Sequence, residues 1–244
     1  MTKPTIDPRR NERPRSLMVM ISGAVVLVVV AVLIIMWAAH DSKPTGGDAV
    51  PTVVTSDGAI RITKAPKGTE PKAVVSLIED LQCPVCRNFE TTYGDVLTEL
   101  GQRTDVAVDY HIVGYLDQYS QDDYSTRSAN ASLCVAEDTA RKGDYTIWLN
   151  YLTTLFRNQP NEGGPGIANS RLASLAQSVG AGDVSSCIDD LRYGQWIAKN
   201  TEALTGKPGF KGTPDIRIDG KQFALPFPPN PDAFKAAVLS AAGA

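Results

Sequence analysis

Two cysteines separated by two residues, Cys83 and Cys86, are the side chains in this chain best suited to chemistry. Such a pair can close a small disulfide ring or supply half of a metal site. A structural zinc site needs four ligands. Here there are two histidines, and the other two cysteines, Cys134 and Cys187, stand far apart with no second pair at this spacing. No metal and no cofactor is therefore expected. What remains is a structural disulfide or thiol–disulfide exchange, in which a thiolate attacks a disulfide sulfur and passes through a mixed disulfide.

That chemistry depends on where the thiols sit. Residues 73–78, Ala-Val-Val-Ser-Leu-Ile, are a short β-branched run of the kind that forms a buried strand. From Val85 on, the spacing of Val85, Phe89, Tyr93, Val96, Leu97 and Leu100 makes one apolar helical stripe, and Gly101 ends it. Pro84 suits a first helical turn, where its missing N–H costs nothing. Cys83 thus falls at a helix N-terminus. There unpaired N–H groups and the helix dipole favour a thiolate, which is the nucleophile. Cys83 is expected to be the exposed, low-pKa thiol and Cys86 the shielded one, a turn further in.

The rest of the chain is uneven in charge. Residues 1–16 carry five basic and two acidic side chains, net +3, so residues 17–244 carry −6 of the total of −3. Nothing beyond the first segment is basic enough for nucleic acid. Leu17 to Ala39 is an uncharged apolar run. As a helix it would be about 35 Å long, enough for a hydrocarbon core of about 30 Å. The arginines precede it, so residues 1–16 are expected in the cytoplasm and the rest outside. The competing reading is a cleaved signal peptide, although the run exceeds a usual apolar region of about 7–15 residues. Residues 40–71, rich in Pro, Gly, Thr and Ser, read as an extracytoplasmic linker, in which Ile60-Arg61-Ile62 could add an edge strand.

The globular part is expected over 72–244. Val106, Val108, Tyr110 and Ile112 alternate with Ala107, Asp109 and His111, the pattern of a half-buried strand with His111 solvated on the far face. From about 118 to 205 the pattern is helical, with Trp148, Tyr151, Leu152, Leu155 and Phe156 on one stripe. Cys134 and Cys187 both lie in this region. In an exported chain they pair as a structural disulfide beside 83–86, or remain as two buried thiols. The bond would close a loop of about 50 residues, worth about 3–4 kcal/mol by loop entropy. Ile216 to Phe223 read as two strands about an Asp219-Gly220 turn, and Asn230-Pro231 as the cap of a last helix. Gly212-Thr213-Pro214 enters the first of those strands, where a cis bond, if present, is a deliberate feature.

Asp80-Leu81-Gln82-Cys83-Pro84-Val85-Cys86 followed by Arg87-Asn88-Phe89, together with Thr213-Pro214, resembles the active-site stretch and cis-proline loop of DsbA-like thiol–disulfide oxidoreductases. The long helical stretch between them is similar to the DsbA insertion. With its anchor and extra cysteine pair the chain resembles most closely the membrane-tethered DsbA of actinobacteria. The resemblance implies an α/β, thioredoxin-like fold with an inserted α-helical domain, preceded by one transmembrane helix. It implies catalysis by Cys83 and Cys86, with Pro84 and Val85 as the tuning dipeptide and Thr213 and Pro214 holding substrate. The family's buried acid has no counterpart six residues before Cys83, where Leu77 stands, so Glu79 or Asp80 is the candidate proton relay. The implied protein is a monomer at the cell membrane. It would oxidise reduced exported proteins and be reoxidised by a quinone-linked membrane oxidase of the VKOR or DsbB kind. A reductase or isomerase of the same compartment, and a tethered binding or chaperone module with a merely structural CxxC, are the other readings.

Overall fold

The computed structural model describes residues 46–140 and 145–244. The expected cytoplasmic tail and transmembrane helix lie outside the described residues. Among those described, no helix is long and apolar enough to cross a membrane.

Five strands form one sheet in the order β1-β3-β2-β4-β5. They are β1 (Ile60–Ile62), β2 (Ala73–Glu79), β3 (Val106–Ile112), β4 (Asp215–Ile218) and β5 (Lys221–Gln222). β2 and β3 run parallel with Leu77 beside Tyr110 and Glu79 beside Ile112. Parallel neighbours need a crossover, and α1 (Pro84–Gly101) supplies it. β4 lies antiparallel to β2, and β4 and β5 join through Asp219 (φ 50°) and Gly220 (φ 75°), two left-handed residues that match the twist of a tight hairpin.

Strand alternation puts Ala73, Val75, Leu77 and Glu79 on one face. α1 and the C-terminal α7 (Pro231–Ala241) cover that face, with Phe89, Tyr93 and Phe234 packed edge to face and stacked. Asn230 caps α7 by accepting from the Ala233 N–H at 3.0 Å. In α1 the buried stripe is Cys86, Phe89, Tyr93, Leu97 and Leu100, while Val85 is 57% exposed and takes no part in it.

Two expectations are corrected here. β3 is buried along its whole length rather than on one face, and His111 is 2% exposed rather than solvated. The reason is that β3 is interior to the sheet and its second face is also covered. There Arg61 clamps Asp109 with two bonds of 2.7 Å, and Ile78, Val113 and Leu204 form a second small core. The expected linker is also shorter than 40–71. From residue 46 the chain lies on the domain: the Gly47 N–H donates to Leu191, Thr52 bonds Glu137 through its N–H and its hydroxyl, and Pro51 is buried.

The helical insertion comprises α2 (Tyr124–Ala140), α3 (Thr146–Arg157), α4 (Asn169–Ser178), α5 (Ser185–Asp189) and α6 (Gly194–Thr205). Its aromatic stripe is core. Trp148 is fully buried, donates to the Ser132 hydroxyl at 3.0 Å and meets Tyr110 of the sheet edge to face at 5.3 Å. A disulfide joins Cys134 of α2 to Cys187 of α5. Beside it the Asn130 amide donates to the Cys187 and Ile188 carbonyls and accepts the Tyr193 N–H.

Candidate active site

Cys83 is the N-cap of α1, with extended backbone (φ −73°, ψ 116°) and Pro84 next to it in the first turn. Its sulfur stands where a capping Ser or Asp oxygen usually stands, and it accepts the Cys86 N–H at 3.4 Å. No acidic residue occupies the first turn. The unpaired amides and the dipole therefore act on the sulfur alone. Both cysteines are free thiols in this structure.

The two thiols are shifted in opposite directions. Cys83 is lowered to about 6, first by a hydrogen bond from the Cys86 thiol, with the Thr213 side chain and the Val85 and Cys86 amides adding to it against the cost of burial. Burial is the main cause that pushes Cys86 well above the ordinary thiol value, and donation to Cys83 adds to it. The protonated Cys83 thiol also donates to the Thr213 carbonyl at 3.3 Å, a bond that only the neutral form can make. This contact opposes ionisation, but it is one weak bond against several donors. The peptide bond from Thr213 to Pro214 is cis. The expected exposure of Cys83 needs correction: it is 4% exposed, against 0% for Cys86. The Thr213 segment lies over the sulfur, and the exposed apolar side chain of the motif is Val85.

The loop before Cys83 is held by side chains from distant elements. Asp80 accepts the Gln82 N–H (2.8 Å), the Leu116 N–H (2.8 Å) and the Ser125 hydroxyl (2.7 Å). The Gln159 amide donates to the carbonyls of Leu81 (2.9 Å) and Cys83 (3.0 Å). Gln82 donates to the Tyr119 carbonyl at 2.9 Å. Ser125 and Gln159 belong to the helical insertion, so that insertion braces the thiol loop directly. Sequence patterns did not single out either residue.

The two acids named beside the motif differ. Asp80 is raised to about 7 by burial, yet three donors occupy its oxygens. Glu79 is fully buried, no N–H or hydroxyl donates to either of its oxygens, and burial holds its carboxyl well above the usual range. It lies within electrostatic reach of Cys83 and Cys86 and beside Glu90 of α1, whose carboxyl is also raised by burial. A hydrogen bond between the two carboxyl groups adds to the raised titration of Glu79 and works against that of Glu90. Two carboxylates 4 Å apart repel by about 4 kcal/mol at an effective dielectric of 20, so such a pair keeps a proton. Glu90 was not singled out in the sequence. Its place four residues after Cys86, beside the buried stripe of α1, is the signal that marks it.

The structure thus gathers Cys83, Cys86, Thr213 and Glu79 at one end of the sheet. It places Asp80 in the loop scaffold and Cys134 and Cys187 in the insertion.

Comparison with known proteins agrees with this geometry. The model of the thioredoxin family matches residues 68–238. DsbA of Mycobacterium tuberculosis in its reduced form is 31% identical, with 76% of this chain and 93% of that one covered and a TM-score of 0.65. DsbG of the same organism is 31% identical, covering 79% and 91%, with a TM-score of 0.66. MdbA, a thiol-disulfide oxidoreductase of Corynebacterium diphtheriae, is 25% identical, covering 82% and 98%, with a TM-score of 0.59. Among curated sequences, the serine/threonine-protein kinase PknE of Mycobacterium tuberculosis is 30% identical over 178 residues, which is 69% of this chain but only 30% of that protein. The chain therefore spans less than a third of the curated relative it matches. A cysteine pair capping the first helix after a central strand, a helical insertion bracing it, and these matches together assign the chain to the thioredoxin family, as a DsbA-like disulfide oxidoreductase.

Proposed function

We propose that this protein is an extracytoplasmic oxidase that introduces disulfides into exported proteins through the Cys83–Cys86 couple. The observation that supports this reading most is the opposed shift of the two thiols. A stabilised Cys83 thiolate favours the reduced form, and a disulfide whose reduced form is favoured is an oxidant.

In the proposed cycle a substrate thiolate attacks Cys83 sulfur, and the Cys83–Cys86 bond breaks with its electron pair going to Cys86. Cys86 takes a proton and stays buried. A second substrate thiolate then attacks the substrate sulfur of the mixed disulfide and expels Cys83 as a thiolate. The substrate leaves oxidised by two electrons, and the enzyme is left as the dithiol. In this reading the backbone at Thr213 holds an extended substrate beside Cys83. Glu79, within electrostatic reach of Cys86, is the proton relay in this reading; Asp80 holds the loop. Reoxidation falls to a quinone-linked membrane oxidase of the VKOR or DsbB kind. Residues 17–39 anchor the protein in the cell membrane, with the domain outside.

The test is a redox titration of the full-length protein in glutathione buffers. An oxidase should settle well above thioredoxin's potential of about −270 mV, toward the range of about −180 to −120 mV of protein disulfide isomerase and DsbA. A value near −270 mV would instead assign a reductase. For topology, a phosphatase fused after residue 60 should be active. A well-expressed but inactive fusion would place the domain inside.

A further inference from the structure

Away from the thiols the domain carries a groove in two parts. The first, of about 490 Å³, lies between residues 50–58 and α6. Val50, Val54, Trp196, Ala203 and Leu204 make it largely apolar. The second, of about 350 Å³, lies on the face of the sheet opposite α1, to which Val74, Ser76 and Ile78 of β2 alternate. Asp57 and Lys207 line both parts, so the two meet there. Neither Cys83 nor Cys86 lines either part, nor does Thr213. Both volumes suit a small ligand.

The polar part is balanced in charge. Arg61, Lys207 and Arg217 line it together with Asp57, Asp109 and Asp219. In register, Arg61, Asp109, Ser76 and Arg217 form one row across four strands. Both arginines are committed to carboxylates, Arg61 to Asp109 and Arg217 to Asp215 at 2.9 and 3.1 Å. The groups left over are of both kinds. Among the described residues, no hydrogen bond or ion pair engages the Lys207 ammonium or the Ser76 hydroxyl. Asp219 accepts the Val74 N–H at 2.9 Å on one oxygen only. Asp57 accepts the Thr55 hydroxyl on one oxygen and turns the other toward His111 Nε2 at 3.9 Å, beyond hydrogen-bond reach.

Two buried polar atoms at this junction have no partner. The His111 side chain lines the polar part at 2% exposure, and its Nδ1 is unbonded. Asn200 of α6 lines the apolar part, and its Nδ2 is unbonded. Buried polar atoms are normally paired, so two of them beside free groups of both signs mark a surface with hydrogen bonds to give. The wall here is fixed: a Cβ at Gly58 would stand 2.3 Å from Asn200 Oδ1, which seats the 55–58 turn on α6. The charges select the ligand. A bare anion would meet Asp57 and Asp219, and a bare cation would meet Lys207 and two guanidinium groups. A molecule carrying both charges meets neither repulsion.

We propose that this groove binds a zwitterion with one apolar arm, of the kind an apolar dipeptide presents. Its ammonium faces Asp57 and Asp219, its carboxylate faces Lys207, and its arm lies against Trp196 and Val54. The bound molecule ties the 55–58 turn to α6 and to the open face of the sheet. This site is separate from thiol exchange and stands whichever way the thiols run.

The test uses full-length protein labelled with fluorotryptophan, in nanodiscs of phosphatidylglycerol, a lipid without an ammonium group. Fluorine resonances report the three tryptophans, and W196F assigns Trp196. Leucyl-leucine is the first probe. It should shift the Trp196 resonance saturably and leave Trp148 in place. N-acetyl-leucyl-leucine, without the ammonium, and leucyl-leucinamide, without the carboxylate, should each bind about tenfold more weakly. K207M should weaken leucyl-leucine about tenfold and leucyl-leucinamide by less than about twofold, since only the first has a carboxylate to lose. Exchange with glutathione should be unchanged in K207M. Dihexanoyl phosphatidylethanolamine, the second probe, offers the same charges and an acyl arm. A Trp196 shift from it alone would uphold the site and make a lipid headgroup its source. No shift from either probe up to about 10 mM would overturn the proposal. Equal binding of leucyl-leucine and its two singly charged analogues would also overturn it. So would an equal loss of both probes in K207M, because Lys207 would then act through the fold and not through the carboxylate.

Discussion

The shift at Cys83 can be taken apart by changing its neighbour. Its largest cause is the hydrogen bond from the Cys86 thiol, and the helix amides come after it. Cys86→Ala removes the thiol but keeps the backbone N–H that caps Cys83 at 3.4 Å. A hydrogen bond to a charged group contributes about 1.5–3 kcal/mol, equivalent to about 1–2 pKa units. Cys83 should therefore rise from about 6 to between about 7 and 8. At pH 7 its thiolate fraction should fall from about 90% to between about 50% and 10%, against about 3% for an ordinary thiol. Cys86→Ser keeps a donor at the same place and should stay closer to the wild type. The assay is thiolate absorbance near 240 nm against pH, on reduced protein, with the Cys83→Ser variant as blank. Both Cys86 variants should also trap mixed disulfides on non-reducing gels, since the resolving thiol is gone, and Cys83→Ser should trap few or none. If Cys86→Ala still titrates near 6, the amides and dipole carry the effect and the thiol bond does not. If the wild type titrates at about 8.5 or above, the thiolate argument fails altogether, and a structural CxxC becomes the better reading.

Three further outcomes are expected. Cys83 titrates lower in the folded reduced protein than when unfolded, so it stabilises the reduced fold fully above about pH 8.5 and loses that contribution as pH falls through about 6. The reduced form should thus gain on the oxidised form between pH 6 and 8, by at most about 1.4 kcal/mol per pH unit, in paired calorimetric scans; Cys86, shifted the other way, works against this only above about pH 8.5. Replacing Cys134 and Cys187 with Ser opens a bridge between residues 53 apart, which should cost about 4 kcal/mol and about 8–16 °C of melting temperature while leaving thiol exchange largely intact. Loss of exchange in a folded variant would show that the bridge does more than hold α2 to α5. Gln159→Ala strips donors from the Leu81 and Cys83 carbonyls and should cost about 1–3 kcal/mol in urea unfolding, with faster amide exchange over residues 81–87; unchanged exchange there would refute the brace.

Much of the frame was legible because it is local. A β-branched run, a CxxC with Pro84 inside the first turn, an Asp-Gly turn and an Asn-Pro cap each carry their instruction within a few residues, and each element formed where it was read. What failed needed knowledge of neighbours. The alternation in β3 reads as one dry and one wet face, but Asp109 is buried because Arg61 comes from a strand 48 residues earlier to neutralise it. The Pro- and Gly-rich stretch before β1 has the composition of a tether, yet Thr52 and Gly47 find partners at Glu137 and Leu191. Composition reports flexibility of the free chain, not what a surface offers it.

The site divides along the same line. The pKa gap between the thiols follows from one helix end: the capping position collects N–H groups, and the position one turn in is merely dry. Any strand–CxxC–helix unit carries that instruction in its own sequence. The proton traffic does not follow from it. Cys86 is raised because it is buried, and the same burial that protects it from substrate also leaves it without water when it must take a proton. In the proposed cycle that proton comes from a carboxyl beneath the helix, so it depends on which residues of the sheet and of α1 end up facing each other. Glu79 looks unremarkable as the last residue of a strand, and Glu90 looks like one more acid on a helix. Only the parallel register that sets Glu79 beside Ile112, and the crossover that lays α1 over that strand end, make them a pair. An acid beside the buried stripe of a helix, four residues beyond a shielded thiol, is the pattern that would find such a group in sequence.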